Sequence, residues 1–342
     1  MEHMSAAHEK LCESDSIGCQ VVHRERERER EREVGRQKKK LKGLEERVSG
    51  KRSRALMLEK GEQETMVEEL NNNLKEVPQQ VTFNLKTTDH FVLVHGISGG
   101  AWCWYKIRCL MENSGYKVSC VDLKSSGIDQ SDANSVFSFD DYNKPLLDLL
   151  SALPENEQVI LVGHSAGGLS VTHATLMFPK KIRLAVYVAA TMLKLGYSTD
   201  QDIKDGVPDL SEFGDIYELG FGLGSNKPPT SAMIKKEFQR KIIYQMSPQE
   251  DSTLAAMLLR PGPLLAITTA RFEEKDEVEK VPRVYVKTLH DHVVKPEQQD
   301  SMIKRWPPSE VYVLDSDHSP FFSTPFLLFG FLVKAAAYGG LK

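Results

Sequence analysis

Residues 158–168 read QVILVGHSAGG, and this stretch decides how the chain folds. Gln158–Gly163 is a short apolar run, the pattern of a strand buried on both faces. Gly167–Phe178 has helical character and stops before Pro179. Between them stands Gly163-His164-Ser165-Ala166-Gly167, the Gly-x-Ser-x-Gly pattern in a strand, tight turn and helix context. Such a turn forces its serine into a strained backbone conformation that small neighbours tolerate. The hydroxyl is lifted clear of the sheet edge, and the following helix aims its first amides at the same place. Ser165 is therefore the expected nucleophile.

A serine hydroxyl needs a general base, and the base needs a carboxylate to orient it. In folds with this turn the chain order is serine, acid, histidine. Two apolar runs late in the chain, Arg283–Leu289 (RVYVKTL) and Glu310–Asp315 (EVYVLD), read as strands. Asp291 follows the first and His318 the second, so both fall in loops at the edge that carries Ser165. Asp315 and Asp317 lie too near His318 in sequence to come from the preceding strand. His290 and His292 read as loop residues, His164 as structural and His95 as packing. The oxyanion hole calls for two backbone amides. Ala166 is one, and Ile97 in His95-Gly96-Ile97-Ser98-Gly99-Gly100 is the other. Glycines there let the backbone pass close to a ligand. No Gly-Lys-Ser/Thr follows, which sets a phosphate-binding loop aside.

Further strands are expected at Phe91–His95, Lys117–Leu123 and Leu184–Ala190, and further helices at Trp104–Ser114, Phe139–Leu153 and Pro325–Tyr338. This alternation predicts an α/β class: a mostly parallel central sheet flanked by helices. The rhythm breaks at residues 193–262, which are rich in charge, Gly, Pro and Met and show no strong strand. That segment is expected to be a mainly helical cap over the carboxyl edge of the sheet, where ligands bind in such folds. Gly96, Ser98, Met192 and Phe321 are the expected substrate-contacting residues, in an apolar pocket.

Composition excludes several classes. The 342 residues are 40 % hydrophobic and 27 % charged, with formal net charge −4, so nothing suggests a nucleic-acid partner. No apolar run approaches the roughly 20 residues of a membrane span. Five cysteines show no disulfide or zinc pattern, and no metal or cofactor motif appears. A reducing, cytoplasmic location is expected, and a homodimer is left open.

Residues 1–80 differ from the rest. Arg and Glu alternate from Arg24 to Glu33, a basic run follows, and few aromatic or β-branched residues occur. Such a segment cannot bury enough apolar surface to offset its ordering entropy, so a disordered extension is expected. Arg-Glu alternation is also what a GAGAGA repeat encodes, which suggests an untranslated leader and a true start at Met66, with Met57 as the second choice. The hydrolase domain is expected over 81–342.

These residues carry a resemblance. His90–Gly96 (HFVLVHG), Gly100–Lys106 (GAWCWYK), Asp122–Gly127 (DLKSSG) and the elbow with His before Ser resemble the plant methylesterase family, from about residue 88 to the end. That family includes salicylate-binding methylesterases and is similar to plant hydroxynitrile lyases. Leu123–Asp129, Asp205–Gly224 and Arg305–Pro320 look closest to the type acting on methyl indole-3-acetate. The resemblance implies the α/β-hydrolase fold, a Ser165, Asp291, His318 triad and hydrolysis of a small hormone methyl ester, the salicylate and jasmonate esters being alternatives. Hydroxynitrile lyases carry Thr at the position of Gly96 and Lys at that of Ser319, so lyase chemistry is disfavoured. A hormone receptor on the same fold can keep a full triad, and substrate turnover separates it from an enzyme.

Overall fold

The computed structural model describes residues 89–274 and 276–338. The expected extension over residues 1–80, and the start at Met66, lie outside the described residues. Six strands form the main sheet: β1 (His90–Val94), β2 (Lys117–Val121), β3 (Val159–His164), β4 (Ile182–Val188), and two that follow a long insertion. With the hairpin of that insertion numbered β5 and β6, these last two are β7 (Arg283–Thr288) and β8 (Glu310–Leu314). Their order is β2-β1-β3-β4-β7-β8, and every neighbouring pair is parallel.

The central strands β1 and β3 read as continuous apolar runs because both faces are covered. Alternate side chains go to opposite sides. Val92, Val94, Val159 and Leu161 join one core cluster, and Phe91, Leu93, Ile160 and Val162 the other. Helix α1 (Tyr105–Asn113) packs on one face with the C-terminal helix α10 (Pro325–Tyr338), which is preceded by the short α9 (Pro320–Ser323). Helices α2 (Phe139–Ala152) and α3 (Gly167–Met177) lie on the other face, where α8 (Pro296–Arg305) also packs. All residues from Gly167 to Leu176 are buried, which explains why no face of α3 carries Asp, Glu, Lys or Arg.

Strand order sets the position of the site. From β1 the chain steps outward to β2, then returns to β3 on the other side of β1. The loops leaving β1 and β3 therefore diverge and open a crevice at the carboxyl edge, at the switch point of the sheet. Residues 95–100 and the elbow at 163–167 border it.

The insertion between β4 and β7 differs from expectation in one respect. It carries helices α4 (Asp200–Gly206), α5 (Lys236–Ile242), α6 (Gln249–Leu258) and α7 (Leu264–Thr268). It also carries an antiparallel hairpin, β5 (Tyr217–Gly220) with β6 (Ser231–Ile234). Each strand has only four residues, and those of β5 are mostly exposed, so no hydrophobic alternation marks it. Asn134 accepts hydrogen bonds from Thr230 Oγ1 (2.6 Å) and Ser231 Oγ (2.9 Å), which dock the hairpin on the main body. Arg305 Nη2 and Nη1 pair with Asp202 (2.6 Å) and Asp205 (2.7 Å) of α4. Asp251 of α6, buried, accepts from Tyr105 Oη (2.6 Å) and pairs with Lys106. Among the described residues no helix is long and apolar enough to cross a membrane.

Candidate active site

Ser165 has φ +54°, a left-handed conformation that non-glycine residues avoid. The surroundings hold it there. Its N–H donates to Val188 O (3.3 Å), and its carbonyl accepts from Gly168 N–H and Thr191 N–H (3.0 Å each). The small residues around it are steric requirements. A Cβ on Gly163 would lie 2.5 Å from Gly167 O, one on Gly167 2.4 Å from His95 O, and one on Gly168 2.3 Å from Thr191 O. Each obstacle is backbone and cannot swing aside, so the turn closes only with these glycines.

His318 and Ser165 line the same cavity. His318 Nδ1 bonds Asp291 Oδ2 at 2.8 Å, with both residues buried. A carboxylate can only accept here, so Nδ1 carries the hydrogen and Nε2 is left to accept a proton. Asp291 is itself fixed. Oδ1 accepts from Val293 N–H (2.8 Å) and Val294 N–H (2.9 Å), and Oδ2 from Thr288 Oγ1 (3.0 Å). Among the described residues the Ser165 hydroxyl makes no hydrogen bond. Such bonds commonly tighten only when substrate arrives.

The other histidines have other partners. His164 Nε2–H donates to the carbonyl of His318 (2.7 Å). Burial, then the neighbouring His318, pushes its pKa well below the usual histidine value, so it stays neutral. His95, also buried, accepts from Leu123 N–H at Nε2 (3.1 Å) and donates from Nδ1 to Gly96 O (2.7 Å). Burial lowers its pKa as well. His290 pairs with Asp315 at 2.6 Å on the surface. His292 contacts Lys241 O (3.2 Å), also exposed.

The amides of Ile97 and Ala166 donate to no other described residue. Ala166 caps α3 and Ile97 opens the turn after β1. The cap clasps this turn. Ser98, at φ +64°, bonds Ala232 O through its hydroxyl (3.3 Å), and its carbonyl accepts from Arg260 N–H (3.1 Å). Gly262 packs so close that a Cβ there would lie 2.3 Å from Ile97 Cγ1.

Gly96, Ser98 and Phe321 line the cavity, which spans about 620 Å³ with its mouth included. Met192 does not. Thr191 N–H turns back to bond Ser165 O, so Met192 passes beneath the elbow, is 1 % exposed, and packs in the core with Leu169 and Met302. Its expected contact with substrate is therefore withdrawn. Residues missed by the sequence reading include Met233, Ile234, Ile243, Tyr244 and Leu259, all from the cap. No local pattern could single them out, because their approach depends on how the cap folds over. Val293 also lines the cavity, and its place two residues after Asp291 was a usable signal. The lining holds no lysine or arginine, and no cluster of metal-ligating side chains occurs among the described residues.

A family profile described as the alpha/beta hydrolase fold matches residues 89–325. Methylesterase 17 of Arabidopsis thaliana is 63 % identical over 274 residues, 78 % of this chain and 99 % of that protein. The pheophorbidase of Raphanus sativus is 47 % identical over 251 residues, 73 % of this chain and 94 % of that protein. Among solved structures, the methylesterase protein MES16 from Arabidopsis is similar at TM-score 0.67 and 46 % identity, covering 73 % of this chain and 100 % of that one.

Proposed function

The chain belongs to the plant methylesterase family of the α/β-hydrolase superfamily, and from that premise we propose that it hydrolyses a small plant-hormone methyl ester, methyl indole-3-acetate foremost, to the free acid and methanol. The observation that carries this reading is the strained Ser165 and His318 lining one apolar cavity, with His318 bonded from behind to the buried Asp291.

The proposed chemistry assigns roles to Ser165 and His318, which line the cavity, and to Asp291 behind His318. His318 Nε2 takes the Ser165 proton as Oγ attacks the ester carbonyl. Negative charge then develops on the carbonyl oxygen, where the idle amides of Ile97 and Ala166 receive it. They need no reorganisation, because the cap clasps one amide's turn and α3 carries the other. The tetrahedral intermediate collapses, and His318 gives its proton to departing methanol. Water, deprotonated by His318, cleaves the acyl-enzyme. Asp291 keeps the imidazole in the tautomer that leaves Nε2 free and stabilises the imidazolium that forms twice per cycle.

Met233, Ile234, Ile243, Leu259 and Phe321 give the acyl part of the substrate an apolar surround, which suits a ring such as indole. Salicylate and jasmonate esters are the competing substrates, since differences of a few methylenes are worth only about 1–3 kcal/mol. Side-by-side hydrolysis of the three methyl esters tests the choice. A kcat/KM for methyl indole-3-acetate at or below the other two overturns it, and absence of turnover on all three overturns the hormone-ester reading.

Cyanohydrin cleavage is not favoured. Departing cyanide calls for a positive charge, which the lining lacks. A Cβ at position 96, as a threonine would carry, would fall 2.7 Å from Ser165 Cβ.

A further inference from the structure

We propose that Asp317 is a positioning residue through which the cap holds His318 in place, an inference that rests on His318 being the general base. Asp317 is fully buried and forms no ion pair with another described residue. A buried carboxylate is costly unless hydrogen bonds compensate it. Here three donors do so. Oδ1 accepts from the N–H of Ser319 (2.9 Å), the residue after the base. Oδ2 accepts from Met246 N–H (2.9 Å) and Ser247 Oγ (2.8 Å), both in the cap between α5 and α6. One carboxylate thus ties the backbone around His318 to the cap.

The cap side of this latch is rigid. Ser247 O accepts from Arg240 Nη1 (2.6 Å), which also reaches Ser252 Oγ (2.8 Å), so α5, the latch and α6 are cross-braced. On the opposite side the His318 carbonyl is held by His164, the residue before the nucleophile. The backbone of the base is therefore gripped between elbow and cap. Asp291 fixes how the imidazole ring is turned, whereas the two grips fix where the ring stands relative to Ser165. The latch also adjoins Ile243 and Tyr244, which line the cavity. Seating the cap over a substrate and placing the base are consequently one structural event.

The test uses the full chain, a fluorophosphonate probe and p-nitrophenyl acetate, so it does not depend on which hormone ester is native. Asp317→Asn keeps the shape but turns a donor toward one set of donors. It should lower kcat about 10- to 100-fold with KM held within about threefold, the signature of a misplaced catalytic group. Ser247→Ala removes one bond and should lower kcat about three- to tenfold, while Ser247→Thr restores most of it. The double variant should be no slower than Asp317→Asn alone, because both act through one connection. A kcat for Asp317→Asn within about twofold of wild type, losses that multiply, or a loss confined to KM overturns the latch. If Asp317→Asn does not fold, the Ser247 pair decides, and a kcat for Ser247→Ala equal to wild type overturns it. Failure of the probe to label Ser165 in the wild type instead sinks the triad reading itself.

Discussion

The elbow and the cap meet at one cavity but are built on opposite principles. The elbow is made by exclusion. Three glycines within six residues sit against backbone atoms at distances no Cβ could occupy, and Ser165 is driven to a positive φ. The constraints are local and steric, so they must be written in contiguous sequence. The cap is made by attachment. Arg305 to Asp202 and Asp205, Thr230 and Ser231 to Asn134, Tyr105 and Lys106 to Asp251, and Met246 and Ser247 to Asp317 join residues 70 to 150 or so positions apart. These polar contacts act together with apolar residues sunk into the main core, Leu193, Tyr197, Leu210, Ile216 and Ile242, and little of this is visible in any short segment. The cavity draws on both: Ser165 and the turn after β1 line it from the sheet, and Met233, Ile234, Ile243, Tyr244 and Leu259 line it from the cap.

The largest expected effect separates catalysis from architecture. Ser165→Ala should reduce ester turnover by about 10⁴-fold or more, with the thermal midpoint unchanged. Retained turnover would remove the elbow from the chemistry. Next, Gly167→Ala drives a methyl into the His95 carbonyl. Overpacking of this kind costs about 1–3 kcal/mol, and because the displaced strand leads into the Ile97 turn, kcat should fall with it. Denaturant unfolding and steady-state kinetics measure both.

Arg305→Ala probes attachment. It strips the partner from Asp202 and Asp205, two buried carboxylates. The loss should be about 2 kcal/mol, below that of a fully enclosed pair because Arg305 is partly solvated. Here KM should rise while kcat stays near wild type, since α4 is not part of the connection to His318. A fall in kcat as deep as that of Gly167→Ala would erase the contrast.

The smallest effect is a pH dependence located at the elbow. Burial holds the folded-state pKa of His164 and His95 below the ordinary value. The unfolded chain therefore binds protons that the folded one refuses. Stability is complete above about pH 6.5 and is lost as pH falls from there, by at most about 1.4 kcal/mol per pH unit for each histidine. His164→Gln should make the decline between about pH 7 and pH 5 shallower. A slope identical to wild type would show that His164 does not titrate on unfolding.

Residues 158–168 were legible because a strand buried on both faces, a turn and a fully buried helix each leave a continuous signature. The chain order of Asp291 and His318 after β7 and β8 was legible for the same reason: a parallel sheet places every such loop at one edge. Met192 was misplaced because being near the end of β4 in sequence does not say whether the chain turns over the cavity or under the elbow. The hairpin β5–β6 was missed because four-residue strands with exposed side chains carry no hydrophobic period.

The amino-acid sequence alone determined the covered central sheet and the strand, tight turn and helix around Ser165, and it put Asp291 and His318 in loops after β7 and β8, since each follows from local sterics or from the direction of parallel strands. Only the tertiary structure decided which cap side chains line the cavity, that Asp317 joins the cap to the base, and that the Ile97 turn is clasped from above. Those contacts bring together segments whose spacing along the chain carries no information about their meeting, because a hydrogen bond between distant loops leaves no periodic trace in either.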